Sequence, residues 1–131
     1  LLAVISARFL IRGSDSDSIQ KYERYTRLSS WLSSHAAPGS LVAANEIGIL
    51  GYYWNNGKIV DGLGLLNPKV VEALKNGDTS YYVRELKPDY AVFRVPPRAR
   101  IETFQSEEWF VQSYIEAAKL KGGTKIFKRR G

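Results

Sequence analysis

The stretch from Ser40 to Pro68, SLVAANEIGILGYYWNNGKIVDGLGLLNP, constrains the fold more than any other part of the chain. The apolar run Leu41-Val42-Ala43-Ala44 is bounded by Pro38-Gly39 and Asn45-Glu46, a length that suits a buried strand and is too short for a helix. Ile47 to Tyr53 predicts a short helix, and Lys58-Ile59-Val60, ending at Asp61, predicts a second strand. Asn45 is expected to cap the helix and Glu46 to place a negative charge at its positive end. Asn55-Asn56-Gly57 supplies residues that tolerate positive φ where the chain reverses. Two strands joined through a helix should lie parallel.

At 131 residues the chain is long enough to bury one core without staples. Cysteine is absent, which excludes disulfides and thiolate metal sites, and His35 is the single histidine, so a zinc centre has no ligand set. No cofactor motif emerges: in Glu46-Ile47-Gly48-Ile49-Leu50-Gly51 the tight turn after the strand, where a dinucleotide fingerprint needs its first glycine, is held by Asn45 and Glu46. Charge is uneven. From Lys87 onward ten Lys or Arg stand against five Asp or Glu, whereas residues 1–86 hold nine against eight. Such an excess favours anionic lipid or other polyanions, but no recognised nucleic-acid motif accompanies it, which weighs against nucleic acid.

The opening Leu1 to Ile11, LLAVISARFLI, is far short of a spanning helix and is interrupted by Arg8. It reads as the end of a membrane helix or a linker over residues 1–13, or else as an amphipathic helix or edge strand packed on the domain. Arg8 and Arg12 carry charge of the sign that favours the cytoplasmic side. Gly13 to Ser18 reads as a polar break and cap. Beyond it Ile19, Tyr22, Tyr25, Leu28 and Leu32 recur at helical spacing, so one face of a helix to about Ser34 should turn inward, with His35 at its C-terminal end. The α/β domain then spans residues 14–131.

After Asp61 the loop Gly62 to Asn67 leads to a helix from Pro68 through Lys75, with Asn67 as cap. Asp78 to Leu86 predicts another short helix, Tyr90 to Phe93 the third strand, and Glu107 to Gln112 a turn or two of helix. Tyr114 to Leu120 and Thr124 to Arg129 flank Lys121-Gly122-Gly123 and are read as a hairpin, in preference to a helix from Ser106 to Leu120. The expected architecture is an α/β single-domain sandwich with a mixed, partly parallel sheet of about five strands and packed helices.

The order WLSSHAAPGSLVAANEIGILGYY, KIVDGLGLLNP, LKPDYAVF and KIFKRR resembles the soluble region of bacterial polytopic membrane glycosyltransferases of the GT-C class, related to dolichyl-phosphate-mannose protein mannosyltransferases. The resemblance covers Ile19 to Arg130, and its most specific pieces are Glu46-Ile47-Gly48 with Gly51-Tyr52 and Val60-Asp61 with Gly64 to Pro68. It implies an extracytoplasmic, membrane-anchored domain whose partners are the parent's transmembrane region and a polyprenyl-phosphate sugar, glycan or anionic lipid headgroup. In that class the catalytic carboxylate lies in a loop between membrane helices. No stretch here matches that loop, so the resemblance carries over no catalytic residue.

Candidate ligand contacts are Glu46 and Asp61, which follow the two paired strands at the edge where open α/β sheets bind ligands, together with Asn67 and Tyr52. The same carboxylates have structural uses, Glu46 at a helix terminus and Asp61 within its loop. Tyr52, Tyr53, Trp54, Tyr81, Tyr82 and Trp109 are candidates for a sugar-stacking surface or for core and membrane-interface anchors. Three readings stay open: an accessory domain of a membrane glycosyltransferase, a small stand-alone α/β enzyme, and a basic module for anionic lipid or polyanions.

Overall fold

The computed structural model describes residues 2–98 and 100–131, with side chains from Ser16 onward. Five strands form one mixed sheet in the order β2-β1-β3-β5-β4. They are β1 (Leu41–Ala44), β2 (Lys58–Asp61), β3 (Tyr90–Arg94), β4 (Tyr114–Leu120) and β5 (Thr124–Arg129). β1 lies parallel to both β2 and β3, while β5 runs antiparallel to β3 and to β4. The expected mixed, partly parallel sheet is therefore present, and the Lys121-Gly122-Gly123 hairpin forms with both glycines at positive φ, 96° and 89°.

Alternation along the strands sends side chains to two cores. Val42, Ala44, Tyr90, Val92 and Ile126 face α1 (Leu2–His35) and α2 (Gly48–Tyr53), where Leu28, Leu32, Leu50 and Trp54 complete the packing. Ala43, Val60, Ala91, Phe93 and Tyr114 face the opposite layer. That layer holds α3 (Pro68–Lys75), α4 (Tyr81–Arg84), a 3₁₀ turn (Thr103–Ser106) and α5 (Glu108–Ser113). Aromatic residues dominate the second core: Phe93, Phe104, Phe110 and Phe127 meet edge to face at centroid distances of 5.0–5.7 Å. Such pairs add about 0.5–1.5 kcal/mol each beyond area burial. The crossovers β1-α2-β2 and β2-α3-α4-β3 run in opposite directions and lie on opposite faces, as right-handed connections require.

Four local expectations are corrected. α1 is continuous through Gly13 to Ser18, so no break stands there, and residues 2–11 are helical and not an edge strand. How the side chains of that opening stretch pack lies outside the described residues. Ser16 to Ser18 are exposed, and polar residues on a solvated helix surface cost only tenths of a kcal/mol each. The inward face of α1 is also shorter than its periodicity predicts: Tyr25, Leu28 and Leu32 are buried, but Ile19 is 58% exposed and Tyr22 48%. Asn55-Asn56-Gly57 turns without positive φ. Gly57 is needed for a different reason, since a Cβ there would collide with the Ser40 carbonyl oxygen and stand 2.5 Å from the Trp54 ring. Finally, Asn45 does not cap α2, whose N-cap is Ile47 with no side-chain hydrogen bond.

The length of α1 explains its partial burial. At 1.5 Å per residue its 34 residues span about 50 Å, whereas the seven residues of β4, the longest strand, span about 23 Å. One end must overhang. Tyr90 Oη donates to the His35 carbonyl at 3.4 Å, at the edge where β3 begins, and His35 stacks on Trp31 as a helix-end residue should. Arg24 Nε donates to the Gly122 carbonyl at 3.1 Å, at the edge where β3 ends. Every residue from Ser16 to Glu23 is exposed, so the N-terminal part of α1 leaves the domain beyond the C-terminal ends of the parallel strands. Leu28→Ala, which empties a fully buried site, should lower unfolding free energy by about 3 kcal/mol in urea titration, while Ile19→Ala stays within about 0.5 kcal/mol.

Candidate functional site

The chain leaves β1 toward the α2 face and leaves β3 toward the opposite layer, so a topological switch point lies between the C-terminal ends of these neighbours. Open α/β sheets bind ligands in such crevices. Here the crevice is filled by the chain's own side chains. Glu102, 1% exposed, returns from the loop after β3 and accepts from Asn45 Nδ2 at 2.7 Å. Its other oxygen accepts from the backbone N–H groups of Arg98 at 2.9 Å and Arg94 at 3.3 Å. Gly62, after β2, completes the packing, because a Cβ there would collide with Asn45 Oδ1 and sit 2.8 Å from the Tyr82 ring. Burial first, then the nearby Glu102 charge, holds the Tyr82 phenol protonated far above its ordinary range.

Above this buried bracket sits a solvent-reaching cluster around Glu46. Arg98 donates to Glu46 Oε1 at 2.7 Å, and Lys21 and the Tyr25 hydroxyl approach Oε2 at 3.1 and 3.3 Å. Three elements thus converge on one carboxylate: α1, the β1 loop and the β3 loop. Partial burial would raise the Glu46 carboxyl, but the hydrogen bonds from Arg98 and Lys21 outweigh it and leave the group below its usual range. For Tyr25, burial first and the Glu46 charge second push the phenol well above its ordinary value. A shallow hollow bounded by Ser18, Lys21, Tyr25, Glu46, Gly48 and Ile49 opens beside the cluster.

Of the residues chosen from sequence, only Glu46 belongs to this assembly. Asp61 is 2% exposed, and its two oxygens accept from the backbone N–H groups of Leu63 at 2.9 Å and Leu65 at 2.7 Å. It builds the loop and has little left for a ligand. Asn67 caps α3, accepting from the Lys69 N–H at 3.0 Å. Tyr52 is 81% exposed on the last turn of α2, the opposite end of that helix from Glu46, with only Tyr53 against its ring. The proposed stacking surface does not assemble either: Trp54 and Tyr82 are core, Tyr52 and Tyr53 project on the α2 side, and Tyr81 and Trp109 pack on the other layer. Glu102, Arg98 and Tyr25 were missed. Glu102 had a faint signal, an acid between Ile101 and Thr103-Phe104, but its target 57 residues away has none.

No group of His, Cys, Asp and Glu among the described residues could hold a metal ion. What the arrangement can do is fasten: a buried carboxylate bracket and a surface ion-pair cluster lock the loops after β1 and β3 to each other and to α1. Fold and site together define a small α/β module with a three-stranded parallel half, a closed switch crevice and a long projecting helix. The chain belongs to the family of a domain of unknown function, DUF8728, whose model matches residues 15–129. No curated protein and no solved structure matches it.

Glu102→Ala should cost about 3 kcal/mol of stability by urea unfolding, because it strands the Asn45 amide and two backbone N–H groups. Glu102→Gln should cost about 1 kcal/mol, since rotation of the Asn45 amide presents its Oδ1, which lacks a partner, to the new NH₂. The lowered Glu46 acidity has a definite sign. Its stabilisation is complete above the unfolded carboxylate value of about 4.3 and is lost as pH falls through the lower folded value. Glu46→Gln should therefore flatten the acid limb of the stability-pH curve below about pH 4.3, and should also make the alkaline limb above about pH 10 less steep, because the Glu46 charge helps to raise the Tyr25 phenol.

Proposed function

We propose that this chain is a non-catalytic, extracytoplasmic domain of a membrane glycosyltransferase that uses a polyprenyl-phosphate sugar donor, and that α1 tethers it to the parent's transmembrane region. The observation that carries the reading is the course of α1. A helix that is integral to one core at its C-terminal half, and whose residues from Ser16 to Glu23 are exposed and, among the described residues, held to the domain only through Lys21 on Glu46 and Tyr22 on Tyr53, is built to transmit a fixed orientation to whatever precedes it. Among the described residues no helix is long and apolar enough to cross a membrane, so in this reading Leu1 to Ile11 is the foot of the tether and the spans belong to the parent. The sequence resemblance points the same way. The closed crevice adds support for a non-catalytic role: the switch point, where an α/β enzyme of this size would place its chemistry, is occupied by Glu102 and Asn45.

The test is to express the parent enzyme in membranes, with and without residues 16–131, and to follow sugar transfer from polyprenyl-phosphate donors. Excision should lower transfer at least about tenfold through loss of acceptor or donor positioning, and the isolated chain should show no turnover. Turnover by the isolated chain, or a parent without membrane spans, would sink the reading.

A further inference from the structure

We infer that Asn56 is a site of self-modification: the backbone nitrogen of Gly57 displaces the side-chain amide, and the chain comes to carry aspartate or isoaspartate at position 56. Asparagine followed by glycine is where this cyclisation meets least resistance, because the missing Cβ leaves the attacking nitrogen open. The sequence holds two such pairs, Asn56-Gly57 and Asn76-Gly77. Both asparagines are exposed, yet the fold treats the two glycine nitrogens differently. The Gly77 N–H donates to the Leu74 carbonyl at 3.1 Å as α3 ends, and the Asn76 N–H is held by the Glu72 and Ala73 carbonyls at 3.2 and 3.1 Å. Among the described residues the Gly57 N–H donates to no protein acceptor. The Asn56 carbonyl, on the same peptide, accepts from the Gly39 N–H at 2.7 Å, which draws charge from that nitrogen and favours loss of its proton.

Water is the sole co-reactant. The Gly57 nitrogen attacks Asn56 Cγ and gives up its proton; the N–Cγ bond forms, the Cγ–Nδ2 bond breaks, and ammonia leaves behind a five-membered succinimide. Water then opens the ring at either carbonyl. Opening at Cγ yields aspartate on an unchanged main chain, whereas opening at the main-chain carbonyl yields isoaspartate, which routes the chain through Cβ and lengthens it by a carbon. Either product takes the formal net charge from +6 to +5, since one carboxylate is added. The longer main chain does not fit. Asn56-Gly57 joins α2 to β2 where the Lys58 N–H donates to the Ser40 carbonyl at 2.9 Å. Gly57 lies so close to that oxygen and to the Trp54 ring that even a Cβ would collide. Isoaspartate therefore breaks the first bond of β2 to the chain entering β1 and loosens Trp54, while aspartate leaves both intact.

The full 131-residue chain is incubated at mildly alkaline pH, one sample folded and one in concentrated urea. Loss of each side-chain amide is read by peptide mapping and mass spectrometry, and isoaspartate by methyl transfer from S-adenosylmethionine with an isoaspartate methyltransferase. In the folded chain Asn56 should convert at least about tenfold faster than Asn76, whose glycine nitrogen must first lose its hydrogen bond. In urea the two rates should converge, because the bond that separates them is gone. Asn56→Gln should remove the fast site and leave Asn76 unchanged, since a glutamine must close a larger ring. Chain bearing isoaspartate at 56 should unfold at lower urea than Asn56→Asp, which should match the unmodified chain. An Asn56 that converts no faster than Asn76 in the folded chain overturns the inference. A difference that persists in urea belongs to the neighbouring residues and overturns the role given to the fold. Isoaspartate at undiminished stability overturns the cost assigned to the longer main chain.

Discussion

The rest of the structure depends on one buried charge. Glu102 sits between the loops that leave β1 and β3, and three donors, the Asn45 amide and the Arg98 and Arg94 N–H groups, neutralise its burial. A carboxylate so placed is costly unless every partner is in position, so it permits one arrangement of the two loops and penalises others. That arrangement sets Arg98 beside Glu46, and Glu46 in turn receives Lys21 and Tyr25 from α1. The direction in which α1 leaves the domain is therefore tied, through two carboxylates, to the geometry of the sheet.

This hierarchy changes what the switch crevice means. In a doubly wound sheet the splitting of connections to opposite faces leaves a gap that a ligand can fill. Here the gap is filled from within, by a side chain that the loop after β3 supplies. At the rim of the crevice, Glu46 holds Arg98, Lys21 and Tyr25.

The basic C-terminal residues have a second use that composition does not disclose. Lys119 lies on β4, one of the two edge strands of the sheet, with Lys121 in the turn beside it and Lys125 and Lys128 on the neighbouring β5. Lysine on an edge strand discourages pairing with another chain, so part of the charge excess protects the sheet against aggregation. Arg129 is engaged with Asp89 at 3.1 Å, which pins β5 to the start of β3.

Much of the fold was legible in local sequence because local physics determines it. Runs of four or five apolar residues between turn residues could only be buried strands, Asn67-Pro68 could only open a helix, and paired glycines after Lys121 made a hairpin the favoured reading. Asp61 and Glu46 were recognised as carboxylates at strand ends for the same reason. What the sequence could not disclose was the use to which such residues are put. Asn45 is a good helix cap by composition, yet its side chain turns inward to Glu102, because satisfying a buried carboxylate outweighs the modest gain of a solvated cap. Gly57 and Gly62 are small for the sake of Trp54 and Tyr82, neighbours whose proximity no turn rule encodes. The helical period of α1 marked Ile19 and Tyr22 as inward with the same force as Leu28 and Leu32, since periodicity records a face and says nothing of where the partner ends. Local propensity thus determined the elements themselves. The pairing of distant charges and the point at which α1 outruns the sheet were decided only by tertiary structure, because both depend on contacts between segments that are remote along the chain.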